Sequence, residues 1–421
     1  MNKIIKTFVI LLCLGLFPHR AQAEEVLTWG DCLVEAQKNH PDLISAQEAV
    51  KESEADKRIT QSTLLPQVDS SVSGATAKAS GATTDTYRYG VTATQLLFDG
   101  SKTGADMKAA SENVKAAQYQ YRFASSEVRL ALRSAFIDLL KAQESLQLTE
   151  DIYKIRRGNL DLITLRYESG LEHRGALLNA ETNLIEAEFE IAQAKRALEV
   201  AQKGLLKEMG RLKFTALRAE GDFKVSDAAL EKPDFEALAN TAPSLGKLIA
   251  QKHAAGFDIK SAEANFFPEL SASAGANRTS SHWPPEDERW DAAVTLSFPL
   301  FEGGLRTAQV DKAKAAYHQA RADERSAKDT LLVTLEETWA ALQDAVETVE
   351  VQRKSLEAAE ERARIAEAQY SLGSIGFDNW TIIEDDLVKT KKAFLNAQAA
   401  ALLAEAEWIQ AKGETLEDAS Q

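Results

Sequence analysis

The stretch LRSAFIDLLKAQESLQLTEDIYKIRRGNLDLITLRY, residues 132–167, carries apolar side chains at a seven-residue step. One line of this repeat is Leu132, Leu139, Leu146, Tyr153, Leu160 and Tyr167, and a second is Val114, Tyr121, Val128, Ala135 and Ala142. Two such lines, four residues apart, form the apolar seam of a coiled coil. No proline interrupts the chain from Gly100 to Gly170. The pattern therefore predicts one helix of roughly 100 Å, too polar to lie in lipid.

The same seam returns 203 residues later in the chain, as Leu335, Leu342, Val349, Leu356, Ala363 and Tyr370. The segment Leu97-Phe98-Asp99-Gly100 likewise returns as Leu300-Phe301-Glu302-Gly303, and Tyr167 and Gly170 return as Tyr370 and Gly373. A period this long indicates a duplicated half of a domain, because solenoid repeats have periods of about 20–50 residues.

The first 23 residues have the pattern of a signal peptide. Lys3 and Lys6 precede the apolar run 8–17, and Ala21-Gln22-Ala23 supplies a small-residue cleavage site. A lipoprotein alternative would acylate Cys13, but Leu12 stands where a small residue should precede that cysteine. The sequence therefore predicts export with cleavage after Ala23.

The chain is acidic, with a formal charge of -15 at pH 7. This balance argues against a nucleic-acid partner and against an anionic lipid surface as the main partner. Cleavage after Ala23 would leave Cys32 as the one remaining cysteine. An intramolecular disulfide is then impossible, so stability must come from packing.

Each half inserts a β-hairpin between helical arms. In the first half, Tyr87, Tyr89, Val91 and Ala93 alternate with Arg88, Gly90, Thr92 and Thr94. In the second half, Trp290, Ala292, Val294, Leu296 and Phe298 alternate with Asp291, Ala293, Thr295 and Ser297. Strands of about ten residues with one apolar and one polar face suit a transmembrane barrel with a wet lumen. A soluble sheet packed on a core is the alternative.

Four strands cannot close a barrel around a pore, and an open edge in lipid would leave backbone groups unpaired. The barrel must therefore be shared between chains. Two, three or four copies would give eight, twelve or sixteen strands, and closure alone does not choose among them. An eight-stranded barrel would be filled by side chains, which disfavours a dimer if the lumen conducts.

The order of these features resembles the TolC-type outer-membrane efflux factors over nearly the whole mature chain. The similarity rests on the paired helix-strand-strand-helix halves, the junctions Leu64-Leu65-Pro66 and Phe266-Phe267-Pro268, the repeated Leu-Phe-acid-Gly segments, and the Tyr-x-x-Gly turns. The resemblance implies a mainly α fold with a small β part. It also implies a homotrimer, with a twelve-stranded barrel in the outer membrane continued into the periplasm by a helical tunnel. The implied partners are outer-membrane lipid, a periplasmic adaptor (membrane fusion) protein and an inner-membrane pump of RND or ABC type.

We divide the chain accordingly. The predicted units are a signal peptide (1–23), a first repeat (24–210), an equatorial connector (211–242), a second repeat (243–413) and a tail (414–421). Strands are expected at about 65–80, 86–98, 267–280 and 289–300, and helices at about 100–168, 172–210, 302–371 and 377–412. By the resemblance, connector and tail would form a belt around the middle of the tunnel.

The acids after the second turn are candidate pore residues. Asp378 and Asp385 are seven residues apart and lie off the seam of Trp380, Ile383 and Leu387. Three copies of each would form a negative ring at the periplasmic mouth that attracts cations. Family members often carry aspartates at this constriction. Here Asn379 and Ile382 replace two of them, Ile375 replaces a latching arginine, and Ala176 replaces an acid of the first hairpin.

The two hairpin turns are candidate adaptor contacts. Arg174 and Gly175 follow the first turn, and Gly376 and Phe377 follow the second. Short turns beside exposed residues suit packing against a helical-hairpin partner.

The sequence offers no catalytic constellation and no cofactor or metal site. The histidines of the mature chain are scattered singly, and no phosphate-binding loop or serine elbow is present. We therefore expect an exit duct of an efflux pump or a type I secretion system, and not an enzyme. The alternative is a periplasmic coiled-coil adaptor or structural interaction protein, although an adaptor normally carries one hairpin without a second copy. The cargo stays open among drugs, metal ions, siderophores and polypeptides.

Overall fold

The computed structural model describes residues 25–213, 215–225 and 232–418. The predicted signal peptide lies outside the described residues, as do position 214, residues 226–231 of the connector and the last three residues of the tail. Within these ranges the chain is mainly helical with a small sheet part. This confirms the predicted fold class.

The first half begins with β1 (Glu25–Thr28), α1 (Trp29–Asn39) and α2 (Pro41–Ser62). The hairpin β2 (Gln67–Ala79) and β3 (Ala82–Phe98) follows, and then the helices α3 (Lys102–Glu168) and α4 (Arg174–Glu208). Thr28 and Asp31 form a capping box at the start of α1. Pro41 opens α2, where a missing backbone N–H costs nothing.

The connector contains β4 (Leu217–Glu220) and α5 (Phe235–Thr241), and the second half begins with α6 (Pro243–Ala264). It continues with β5 (Glu269–Ser280), β6 (Asp287–Ser297), α7 (Leu305–Ser371) and α8 (Phe377–Ala411). The two long helices have 67 residues each, and the helices that return from the turns have 35 each. The repeat in sequence is therefore a repeat of backbone lengths. No helix in the described ranges has the length and apolarity of a membrane span.

Two shorter helices pack along each long helix. Both α2 and α4 pack along α3, both α6 and α8 pack along α7, and α6 and α8 also contact α3. At the junction of α4 with α2, Gly210 has φ +73°, and a Cβ atom there would lie 2.3 Å from the carbonyl oxygen of Asn39. At the junction of α8 with α6, a Cβ atom on Gly413 would lie 2.5 Å from Pro243. Glycine is needed at both junctions because Asn39, which ends α1, and Pro243, which begins α6, leave no room for a Cβ atom there.

The main core lies at the middle of α3. Leu132, Phe136 and Leu139 of α3 are almost fully buried, together with Cys32 of α1 and Leu205 of α4. Strand β1 pairs in parallel with β4 of the connector, and in the tail the Glu417 carboxylate accepts hydrogen bonds from Tyr121 at 2.8 Å and Ser125 at 2.7 Å. The sequence analysis did not foresee the β1–β4 pair.

The four long strands form one antiparallel sheet in the order β2-β3-β5-β6. Its register aligns Val91, Ala276 and Trp290 in one row and Thr92, Gly275 and Asp291 in the next. Because side chains alternate between the faces, the apolar and polar rows lie on opposite sides. The exposed fractions of Trp290 and Val294 are 83% and 69%, so this chain leaves a broad apolar sheet face uncovered.

The glycine junction gives a stability prediction. Gly210→Ala adds both left-handed backbone strain, which costs about 1–3 kcal/mol, and the collision with Asn39. We expect the variant to lose its helical circular dichroism at a lower temperature than wild type. Gly373→Ala is the matched control, since Gly373 also has φ +73° but a Cβ atom there would meet nothing within 4 Å. Equal melting of the two variants would contradict the packed junction.

Candidate functional site

The two long hairpins turn through the same backbone device. Gly170 and Gly373 adopt left-handed φ values of +70° and +73°. The N–H of Leu171 then donates to the carbonyl of Arg166, and the N–H of Ser374 to that of Gln369, both at 2.8 Å. This pattern of hydrogen bonds ends a helix at a glycine. It brings the ends of α3 and α7 to the same tip.

The predicted adaptor-contact residues lie at the start of the returning helices. Arg174 and Gly175 open α4 and are exposed, and exposed Gly376 precedes α8. Phe377 differs from the other three because only 7% of it is exposed. Its ring packs edge-on against Trp380 and the ring of His173. It therefore joins the two hairpins instead of offering a surface to a partner.

A cluster of polar and aromatic side chains ties the two turns together, and we call it the tip cluster. It consists of Arg166, Glu172, Tyr370, Phe377 and Trp380. The rings of Tyr370 and Trp380 stack at 4.5 Å with an interplanar angle of 5°. On the other side of Tyr370, the guanidinium carbon of Arg166 lies 4.6 Å from the ring centroid. The Tyr370 hydroxyl donates to the Glu172 carboxylate at 2.8 Å.

The surroundings of Tyr370 in the tip cluster keep its phenol protonated, so that the hydroxyl can donate a hydrogen bond. Burial and the hydrogen bond to the Glu172 carboxylate raise the pKa of Tyr370 above its ordinary value. A hydrogen bond to a charged acceptor is stronger than one between neutral groups, and an arginine over an aromatic face adds cation–π attraction. One tyrosine of the second hairpin is thereby held by two charged residues of the first.

Ion pairs farther from the turns also cross between helices. Arg156 of α3, only 9% exposed, pairs with Asp385 of α8. Lys392 of α8 pairs with Glu190 of α4 at 2.6 Å, and Asp386 of α8 pairs with Arg362 of α7 at 3.0 Å. These pairs line a groove of about 620 Å³ between α4 and α8, whose floor includes Arg156.

The two candidate pore aspartates differ in their surroundings. Asp378 is exposed in the first turn of α8. Asp385 is also exposed, but the buried guanidinium of Arg156 neutralises much of its charge within the same chain. The two aspartates therefore lie in different electrostatic environments.

Sequence reasoning missed most of the tip cluster. The sequence places Tyr370 on the coiled-coil seam and in the Tyr-x-x-Gly turn but does not predict its contacts, and it gives no role to Arg156, Arg166 or Glu172. The available signal was Tyr370 itself, since a tyrosine at a buried seam position needs a partner for its hydroxyl. The described residues contain no group of three or more His, Cys, Asp or Glu side chains placed to hold a metal ion.

Comparison with known proteins identifies a family with this architecture. The family model described as outer membrane efflux protein matches residues 32–211 and 235–419. The chain is 23% identical to the outer membrane efflux protein BepC of Brucella suis, covering 97% of this chain and 90% of BepC. It is 22% identical to the cation efflux system protein CusC of Escherichia coli K12, covering 87% and 82%. The open-state structure of the Neisseria gonorrhoeae MtrE outer membrane channel has the same fold, with a TM-score of 0.81 at 19% identity over 93% of this chain and 90% of that one.

The hydrogen bond between Tyr370 and Glu172 predicts a measurable stability of the tip. Tyr370→Phe removes the hydroxyl and keeps the stacked ring. We expect amide exchange of residues 166–180 to rise roughly tenfold, because a hydrogen bond to a charged group contributes about 1.5–3 kcal/mol. Hydrogen–deuterium exchange with mass spectrometry would measure the change. Tyr167→Phe is the control, since Tyr167 is the repeat counterpart but is 38% exposed. The same small effect in both variants would count against the tip cluster.

Proposed function

Because the chain belongs to the outer membrane efflux protein family, we propose that three copies of it form the outer-membrane exit duct of a tripartite efflux pump or type I secretion system. Proteins of this family are outer-membrane transport channels, and their channels work with an adaptor and an inner-membrane pump. The localisation of this chain is accordingly the outer membrane, with its helices extending into the periplasm.

The observation that carries the proposal of a barrel shared between copies is the order of the sheet, and the number of three copies follows the family. Strands β2 and β6 lie at its two edges, each with one side unpaired among the described residues. Hydrocarbon does not tolerate such edges, so β6 of one copy must pair with β2 of the next. Three copies give twelve strands, enough to enclose a lumen wider than that of a side-chain-filled eight-stranded barrel.

The two faces of the sheet support the same arrangement. The face with Val91, Trp290 and Val294 is apolar and exposed, as a lipid-facing wall requires. The opposite face carries Asp69, Thr92 and Asp291, which suit a water-filled lumen. A soluble sheet would bury its apolar face, which disfavours the alternative of a periplasmic adaptor.

The tips would meet the adaptor. Arg174, Gly175 and Gly376 are exposed beside the turns, while Phe377 supports them from inside. The charged groove between α4 and α8 offers a concave surface for a helical hairpin. The inner-membrane pump, of RND or ABC type, would deliver cargo through this end. We propose that the duct is not an enzyme and that it works without a cofactor or a nucleic-acid partner.

Purification and reconstitution test the proposed function. The duct should purify from outer membranes as a heat-modifiable trimer and conduct ions in a planar bilayer. A monomer that stays folded in detergent-free buffer, with all four strands formed, would overturn the proposal.

Asp378 tests the charge of the periplasmic mouth. Asp378→Asn removes one exposed negative charge per chain, three per trimer, and should reduce cation preference and weaken block by a trivalent cation added from the helical side. Single-channel recording measures both effects. Glu407→Gln, an exposed acid near the other end of α8, serves as the control. Unchanged block in Asp378→Asn would refute the assignment.

Arg174 tests the adaptor contact. Arg174→Glu reverses an exposed charge at the tip and should lower the yield of adaptor captured by crosslinking in cells. Arg325→Glu reverses an exposed charge in the first half of α7, away from the tip, and should leave capture unchanged. Equal capture by both variants would remove Arg174 from the contact.

A further inference from the structure

Glu384 of α8 is a buried carboxylate at the helical tip. Only 8% of the residue is exposed, and it lies one turn beyond Trp380 of the tip cluster. It borders a small cavity of about 10 Å³ between the two hairpins. The cavity is lined by Arg156, Asn159 and Ile163 of α3, Ala180 and Asn183 of α4, and Phe377, Trp380 and Thr381 of α8.

No described residue donates a hydrogen bond to the Glu384 carboxylate. Arg156, one of its four charged neighbours, donates a hydrogen bond to Asp385 through its Nη2 atom. The indole N–H of Trp380, on the same cavity, is also buried without a partner among the described residues. A buried carboxylate without donors is costly when ionised and much less costly when protonated.

The charges that face Glu384 come from three helices. Arg156 of α3 and Lys391 of α8 favour the ionised form, whereas Glu367 of α7 and Asp385 of α8 oppose it. The α4 residues that line the cavity, Ala180 and Asn183, are uncharged. Burial is the largest effect, and it raises the pKa of Glu384 above the ordinary value of 4.5.

We propose that Glu384 is a proton-sensitive lock between the two hairpins of one chain. Proton uptake by its carboxylate strengthens the packing of α8 on α3 at the tip, and proton loss loosens it. This inference deepens the proposed duct function, and it rests on that function for its consequence, which is that the periplasmic end of the duct responds to pH. The tested contact itself does not require a conducting trimer.

The direction of the pH effect follows from linkage. The packed arrangement holds Glu384 with a raised pKa, whereas a separated arrangement would expose it at about its ordinary value of 4.5. The packed arrangement therefore binds the proton more tightly, and acid favours it. Its extra stability grows as the pH falls through the raised pKa and is complete below 4.5. At neutral pH the ionised carboxylate weakens the packing.

Hydrogen–deuterium exchange of the full-length protein in detergent tests the lock. Exchange of residues 376–392 would be measured at about pH 5 and about pH 7.5, corrected for intrinsic rates. In wild type, corrected exchange should slow in acid by up to about tenfold per unit of pKa shift. Glu384→Gln keeps the shape without the charge, so it should be protected at both pH values as wild type is in acid. Glu407→Gln, the exposed control, should keep the wild-type pH dependence.

A second variant guards against a folding defect at the buried position. Glu367→Gln removes a like charge that faces Glu384, and should shift the midpoint of the pH dependence to lower pH. If Glu384→Gln keeps the wild-type pH dependence, or exchanges faster than wild type at both pH values, the lock is overturned. A trimer that does not conduct would defeat the proposed function while leaving the exchange result interpretable.

Discussion

The constraint on which the molecule depends is the unpaired backbone at the two edges of its sheet. Strands β3 and β5 satisfy their backbone groups on both sides, whereas β2 and β6 do so on one side only. In water such edges are solvated, but in hydrocarbon each unpaired group costs several kcal/mol. The chain is therefore structurally incomplete in a membrane until further copies supply the missing pairs. Because each hairpin continues directly into a long helix, closure of the sheet would also fix where α3 and α7 begin.

The duplication sets the lengths of the elements but not the contacts of their side chains. The two long helices have the same number of residues, and Gly170 and Gly373 adopt nearly the same φ at the two turns. Yet Tyr370 is 1% exposed and its counterpart Tyr167 is 38% exposed. Within a single chain, Tyr370 is therefore a buried link between the hairpins, whereas Tyr167 lies on the surface.

The charges of the long helices serve two different purposes. Many pairs, such as Arg353 with Glu350 and Arg364 with Glu361, join residues three apart on an exposed face. Pairs of this kind contribute a few tenths of a kcal/mol and keep the helix soluble. Arg156 with Asp385 joins two hairpins, and its arginine is buried. Loss of one partner there would leave an uncompensated charge in a low-dielectric region, so this pair helps to fix how the hairpins meet.

The mainly helical fold, the two halves, the strand faces and the glycine turns can all be predicted from the order of the residues alone. These features depend on periodicity and on local backbone preferences, which a short window of residues contains. The sheet register then placed the alternation on two distinct faces. The burial of Phe377 inside the tip, the pairing of Asp385 with Arg156 and the burial of Glu384 beside Trp380 become visible only in the folded chain. These contacts join residues as much as 229 positions apart. They depend on how the helices meet on faces other than the seam. A seven-residue repeat specifies the seam but not these other contacts.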